Sequence, residues 1–247
     1  MSAPRLSFSQ LRRGPLVLVN REHPLPGTAA PELQRVWDGA PDVLLERRAA
    51  ELLRRCVCAA GGWGKIVPVS GWRSRAEQQR IWDDTLEKEG EAFARQFVAL
   101  PGCSEHETGL AIDLGQGGGA VDFIRPAFPE AGACGTFRRL AARYGFVLRY
   151  PEGKERVTGI AHEPWHFRYV GVPHARLMEE AGLCLEEYFD FLRERPRRCV
   201  LENGLSVTAR YVPWDGTARE LELPEGCWQL SGDNASGFVL TVWEMAA

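Results

Sequence analysis

Five residues, HEPWH (162–166), hold two histidines and a glutamate at the spacing of the H-E-x-x-H zinc-protease motif. In that motif one helix presents two imidazoles a turn apart to the metal, and the glutamate between them is the general base. Here the third letter is Pro164, which pushes Glu163 towards extended geometry and costs roughly 3 kcal/mol inside a helix. The next letters, WHFRYV, alternate Trp165, Phe167 and Tyr169 with His166, Arg168 and Val170, as a strand does. In a strand, His162 and His166 do not bring their rings to one ion. The literal match therefore reads as a coincidence of letters. His166, with at most one neighbour, stays as a candidate ligand, and further ligands must come from elsewhere.

The other stretch rich in ligand-type residues is SEHETGLAIDLG (104–115). His106 and Asp113 stand seven apart, with Gly109 between them at a turn and Asp113 inside the apolar strand LAIDLG. Burying an unpaired carboxylate costs several kcal/mol, so Asp113 needs a cation or a metal. An Asp–His–His set with an open fourth position is a catalytic rather than a structural zinc arrangement. Of the remaining histidines, His23 and His174 flank prolines and read as structural.

The elements that must position these groups follow from pattern. PLVLVN (15–20) reads as a short strand. PDVLLERRAAELLRRCVCAAGG reads as an amphipathic helix with Leu45, Ala49, Leu52, Leu53 and Cys56 on one face, ended by Gly61–Gly62. Cys56 and Cys58 within it read as buried small hydrophobes. KIVPVSGW is a strand entering a glycine turn, and SRAEQQRIWDDTLEKEGEAFARQFVAL is helical, with Ser74 as N-cap and Glu77 as its capping-box partner. TFRRLAARYGF is a short helix stopped by Gly145; FVLRY and HFRYVG are strands. PHARLMEEAGLCLEEYFDFLRER is helical with a break near Gly182. From Cys199 onward, short alternating runs punctuated by NG, DG, EG and SG give a β-meander signal. RERPRR (193–198) reads as a solvated linker, which places a boundary between an α+β domain, 1–196, and a small all-β appendage, 197–247. GQGGGA (115–120) has neither the βαβ context nor the lysine of a phosphate-binding loop.

Composition narrows the class. A net charge of −3 over 247 residues gives no reason to expect nucleic acid as a partner. No stretch approaches about 18 apolar residues and the N-terminus lacks an apolar core, so neither a membrane span nor a signal peptide is expected. The seven cysteines are scattered with no C-x-x-C pair, which suggests reduced thiols in a cytoplasmic protein.

Three segments carry a family resemblance. SEHETGLAID fits the S-x-H-x-x-G-x-A-x-D pattern of the zinc D,D-peptidases of the VanY, VanX and VanXY group. EPWHFRYVG fits their E-x-W-H segment, and VPVSGWRS…Q resembles their S-G-[YF]-R-S-x-x-x-Q segment. The likeness runs over about residues 15–192 and is greatest to the VanXY type. Departures are Trp72, where the family has Tyr or Phe, and the β-appendage.

The resemblance implies the α+β fold that these peptidases share with hedgehog-type domains, built on a small antiparallel sheet. It implies one Zn²⁺ per chain bound by His106, Asp113 and His166. Glu163 would be the general base, taking a proton from metal-activated water and passing it to the departing amine. Arg73 would neutralise the oxyanion of the tetrahedral intermediate, a task suited to its planar fork of donors. Ser104 and Gln78, or Gln79 if the alignment shifts by one, would hold the terminal carboxylate or amide of the substrate. His162 would support the ligands from outside, and Trp165 would pack beneath them. The implied substrate is D-Ala-D-Ala, free or at the end of a peptidoglycan pentapeptide precursor, in the setting of vancomycin-type resistance. Alternatives are a non-catalytic zinc-containing binding module of the same fold, and an L,D- or endolysin-type peptidase.

Overall fold

The computed structural model describes residues 5–27 and 31–245. In chain order its elements are β1 (Arg5–Leu6), α1 (Phe8–Leu11), β2 (Leu33–Trp37), β3 (Ala40–Glu46), α2 (Arg47–Ala59), β4 (Ile66–Ser70), α3 (Arg75–Glu89) and α4 (Glu91–Phe97). After a 3-10 turn at Glu105–Thr108 come β5 (Ala111–Gln116), α5 (Gly132–Leu140), β6 (Phe146–Leu148), α6 (Glu155–Thr158) and β7 (His166–Tyr169). The chain ends with α7 (Val172–Ala181), α8 (Leu185–Glu194), β8 (Arg197–Val200), β9 (Leu205–Pro213), β10 (Arg219–Glu220), β11 (Cys227–Gly232) and β12 (Gly237–Met245).

By contacts the chain divides into two compact units, one spanning Val19–Ala175 and the other joining the described residues up to Leu18 with those from Arg176 onward. The first is built on an antiparallel sheet of order β4-β5-β7-β6 and the hairpin β2–β3. Leu45, Leu53, Ile66, Ile112, Phe137, Phe146 and Phe167 meet there in one buried cluster. Phe137 and Phe128 pack edge-on against Phe167 at centroid separations of 4.9 and 5.4 Å, within the range favoured by aromatic quadrupoles. The second unit contains the antiparallel sheet β11-β12-β9-β8, with Phe238, Leu240 and Val242 of β12 in its core. The short strands expected from the turn dipeptides are present, but β12 lies between β9 and β11, so their order is not that of a meander.

Several sequence expectations are corrected. Residues 15–20 form no strand: Leu16 N–H donates to Ser231 Oγ and Leu18 N–H to the Asp233 carbonyl, side-by-side ties without a ladder. The helix expected to begin near 41 begins at Arg47, because Asp38–Gly39 turns β2 into β3 and Leu45 is a buried strand residue. Glu46 ends that strand and caps α2, its carboxylate accepting from Arg48 and Ala49 N–H at 2.9 and 3.0 Å. Cys56 is buried on α2, but Cys58 points outward and is exposed. The helix starting after Ser74 is broken at Gly90, and RERPRR spans the end of α8 and the start of β8 rather than a linker: Arg197 donates to the Phe191 carbonyl and pairs with Glu194.

Candidate active site

Sheet register brings the site together. Ser70 on β4 pairs with Asp113 on β5, and Asp113 pairs with His166 on β7, so the three form one row across adjacent strands. Directly opposed residues in an antiparallel sheet point to the same face. Asp113 Oδ1 lies 2.9 Å from His166 Nδ1. His106 joins them from the 3-10 turn preceding β5, which closes at Gly109 with φ 70°. A Cβ there would also crowd the Glu46 backbone nitrogen.

The HEPWH segment is extended as expected, with His166 opening β7 and Glu163 in the preceding loop. Glu163 is fixed through its backbone: its N–H donates to the Tyr150 carbonyl at 3.1 Å, and its carbonyl accepts from His166 N–H at 3.2 Å. Arg138 holds the bend, donating to the Pro164 carbonyl at 2.8 Å and the Phe128 carbonyl at 2.7 Å. The Glu163 carboxylate then sits 3.6 Å from His166 Nδ1.

Arg73 leaves the turn after β4 and spreads its guanidinium over three partners. Nε donates to Ser70 Oγ at 2.7 Å, Nη1 to Gln78 Oε1 at 3.2 Å, and Nη2 to Asp113 Oδ2 at 2.8 Å. Nη2 also lies 3.2 Å from His106 Nε2. Gln78 is buried and anchored through Nε2 to the Ala99 carbonyl, whereas Gln79 is exposed and bonded to Asp83. Ser104 is buried in the cleft wall and makes no capping bond. Trp165 is buried, lining the cleft and joining the core cluster; His162 is half-buried and outside the lining. The rest of the cleft is apolar, with Ile81, Phe97, Val98, Phe123, Ile124 and Ile160 around the polar floor.

Among the described residues, His106, Asp113 and His166 form a group able to hold a metal ion, each buried and offering one donor atom, all within 4.8 Å of one another. Two observations match that use. Asp113 Oδ1 is buried and, although 2.9 Å from His166 Nδ1, makes no aligned hydrogen bond. His106 Nδ1–H is committed to the Gly71 carbonyl at 2.7 Å, which leaves Nε2 with its lone pair facing the group. Two imidazoles and one carboxylate suit Zn²⁺ with a position left open.

The electrostatics are those of a dry, charge-dense pocket. Burial pushes Glu163 up to about 8, with Asp113 adding to the rise. Burial lowers His106 to about 4, and Arg73 works in the same direction. His166 goes the other way: burial disfavours its charge, but Asp113 and Glu105 raise it to about 9. Burial also opposes the charge on Asp113, yet His106 and His166 hold it well below the usual carboxylate range.

Sequence reasoning passed over Ser70, Tyr150 and a buried trio. Glu105 pairs with Arg149 and Arg168, each at 2.7 Å, and all three side chains are buried beneath His166. The available signal was an arginine between apolar and aromatic neighbours in each of two strand-like runs, FVLRY and HFRY.

A fold of this kind around a buried Asp–His–His cluster defines a metallopeptidase-type centre, and the comparisons name its class. The family model of VanY, D-alanyl-D-alanine carboxypeptidase, matches residues 42–172. The chain belongs to that family. It is 43% identical over 185 residues, 74% of this chain and 97% of the relative, to the bifunctional D-Ala-D-Ala dipeptidase and D-Ala-D-Ala carboxypeptidase VanXYC of Enterococcus gallinarum. It is 42% identical, with TM-score 0.94 over 98% of this chain and 99% of the other, to the vancomycin resistance D,D-dipeptidase VanXYg, solved with a D-Ala-D-Ala phosphinate analogue. A D,D-pentapeptidase VanY from a VanB-type resistance cassette, solved with Zn(II), is 34% identical with TM-score 0.58 over 70% of this chain and 98% of that one. No described helix is long and apolar enough to cross a membrane.

Proposed function

We propose that this chain is a zinc-dependent D,D-peptidase that hydrolyses the bond between two D-alanines, in the free dipeptide and at the C-terminus of peptidoglycan precursors. The observation that carries the reading is the convergence of His106, Asp113 and His166 donor atoms within 4.8 Å, with Glu163 beside His166 and Arg73 beside His106 and Asp113. One Zn²⁺ per chain held by these three residues acts as a Lewis acid and makes water a nucleophile near neutral pH.

The remaining work falls to the chain. Glu163 Oε2 accepts the proton of the attacking water and returns it to the amine of the departing D-alanine. Its backbone ties to Tyr150 and His166 keep the carboxylate from swinging away. The Arg73 guanidinium, in a pocket shielded from water, neutralises the oxygen that becomes negative as the carbonyl carbon turns tetrahedral. Gln78 and Ser104 line the same cleft and take the substrate's terminal carboxylate or amide. A phosphinate is tetrahedral at phosphorus, like the carbon under attack, so the ligand solved with VanXYg supports the same chemistry here. Trp165, in the core cluster and the cleft lining, packs under the ligands, and His162 is assigned a supporting place outside them.

Every residue given a role here belongs to the compact unit Val19–Ala175, inside the segment 1–196 assigned as the catalytic domain, and the β-rich segment 197–247 is given no role. The cytoplasm, where the dipeptide and the precursors are made, is the assigned place of action, and removal of the D-Ala-D-Ala ending the physiological outcome. The test is D-alanine release from D-Ala-D-Ala and from the pentapeptide, with a chelator and with Zn²⁺ added back. Release from both that stops on chelation and returns with Zn²⁺ is expected. A metal-loaded protein inert on both substrates would leave the binding-module reading, and cleavage confined to L,D bonds would leave the L,D-peptidase reading.

A further inference from the structure

We propose that Glu105 is a positioning residue that fixes the tautomer of His166, keeping the proton on Nε2 so that Nδ1 is the nitrogen offered to the metal. The inference rests on the zinc-peptidase reading above.

The geometry starts from strand alternation. His166 and Arg168 lie two apart on β7 and share one face, and Arg149, just beyond β6, lies beside them with its N–H donating to the His166 carbonyl at 3.1 Å. Glu105 enters from the 3-10 turn into the space between them, its side chain wholly buried. Arg149 Nε and Arg168 Nη1 both reach the same oxygen, Oε1, at 2.7 Å each. Oε2 is left facing His166 Nε2 at 3.7 Å, just beyond hydrogen-bond length. Neither of these two buried atoms has a hydrogen-bond partner among the described residues. Arg149 Nε bonds Oε1 and Arg168 Nη1 lies against the same oxygen without an aligned hydrogen bond, so neither arginine covers Oε2. Here one oxygen is kept for the imidazole.

The opposite nitrogen of His166, Nδ1, points to Asp113 Oδ1 at 2.9 Å and Glu163 Oε2 at 3.6 Å, inside the metal-binding group. His106 does the reverse, tying Nδ1 to the Gly71 carbonyl and presenting Nε2. The two imidazoles thus face the ion through different nitrogens, one steadied by a backbone carbonyl and the other by a carboxylate. A neutral imidazole has one N–H and one lone pair, so an acceptor at Nε2 dictates a lone pair at Nδ1. The two arginines keep Glu105 an acceptor, and their positive charge offsets a third carboxylate close to Asp113 and Glu163.

The test is ¹⁵N NMR of the histidine side chains in the full-length protein, metal-free above pH 9, where the His166 ring is neutral, and Zn²⁺-loaded, with Zn²⁺ affinity measured for wild type and Glu105→Gln. Expected in wild type is a protonated Nε2 on His166 in both preparations. In Glu105→Gln the arginines still occupy Oε1, so the amide N–H₂ faces His166 and demands a lone pair at Nε2. Zn²⁺ affinity should then fall about 10- to 100-fold, and the Nε2 proton should be lost. An unprotonated or metal-bound Nε2 in wild type overturns the proposal, as does a variant with wild-type affinity and an unchanged tautomer. Should the variant fail to fold, the wild-type spectrum alone decides. If wild type neither binds Zn²⁺ nor cleaves D-Ala-D-Ala, the peptidase reading falls, while the metal-free spectrum still judges Glu105.

Discussion

Asp113 and His166 oppose each other across β5 and β7, with Oδ1 2.9 Å from Nδ1. This pairing makes the candidate centre a property of sheet register. A shift of one residue in either strand would turn one of the two side chains to the opposite face of the sheet. His106 and Glu163 reach the same place from short segments whose backbones are hydrogen-bonded to neighbouring strands and turns, so the polar groups sit on a rigid floor.

Replacing Glu163 by Gln removes the proton acceptor while keeping size and shape. Because Glu163 stands beside His166 rather than within the Asp–His–His group, the variant should keep a full equivalent of zinc. Its kcat on D-Ala-D-Ala should fall by about 10² or more. Steady-state kinetics with metal analysis checks this, and near-normal turnover would remove Glu163 from its role.

Arg73→Lys keeps the charge but not the fork that spans Ser70, Gln78 and Asp113. A lysine has one nitrogen for these positions and for the developing oxyanion. The expected result is a fall in kcat of about 10²–10³ with KM little changed. A change in KM alone would show that Arg73 acts only in substrate binding.

Gly71→Ala should disturb His106 without touching it. An added Cβ would meet the Leu44 backbone carbonyl, which already accepts from Trp72 N–H at 2.6 Å. The turn must shift, and the Gly71 carbonyl that steadies His106 Nδ1 shifts with it. Zinc affinity should drop about tenfold, with roughly 1–3 kcal/mol lost in stability, as read by metal titration and urea unfolding. Unchanged affinity would mean that the carbonyl has no part in holding the ring.

His174 is buried away from these residues, and burial lowers it to about 3. Between that value and the ordinary 6.5, the unfolded chain binds a proton there that the folded chain does not. This part of the stability is therefore complete above 6.5 and lost as pH falls, at up to about 1.4 kcal/mol per unit. From pH 7.5 to 5.0 the wild type should lose about 2 kcal/mol more than His174→Gln, measured by urea unfolding. Parallel pH profiles for the two proteins would contradict it.

The site was readable in the letters because its parts are local: S-x-H-x-x-G-x-A-x-D spans a turn and a strand, and E-x-W-H a loop and the next strand. The proline in HEPWH sufficed to separate this chain from the helical proteases. What pattern could not supply was choice among competing local signals. DVLLE continues the helical spacing of RRAAELL, yet it pairs with β2 because Asp38–Gly39 turns the chain back, a dipeptide that carried the hairpin signal. PLVLVN is apolar enough for a strand, but side-chain and single backbone acceptors satisfy it instead of a ladder. Glu105, Arg149 and Arg168 look like surface charges in sequence, and only the folded sheet closes them into a buried group.

The most direct test of the metal centre is anomalous diffraction at the zinc edge from a crystal of the Zn²⁺-loaded protein. One strong peak per chain is expected, bonded to His106 Nε2, an Asp113 carboxylate oxygen and His166 Nδ1 at about 2.0–2.2 Å. A peak bonded elsewhere, or none at a zinc-saturated concentration, would contradict the assignment.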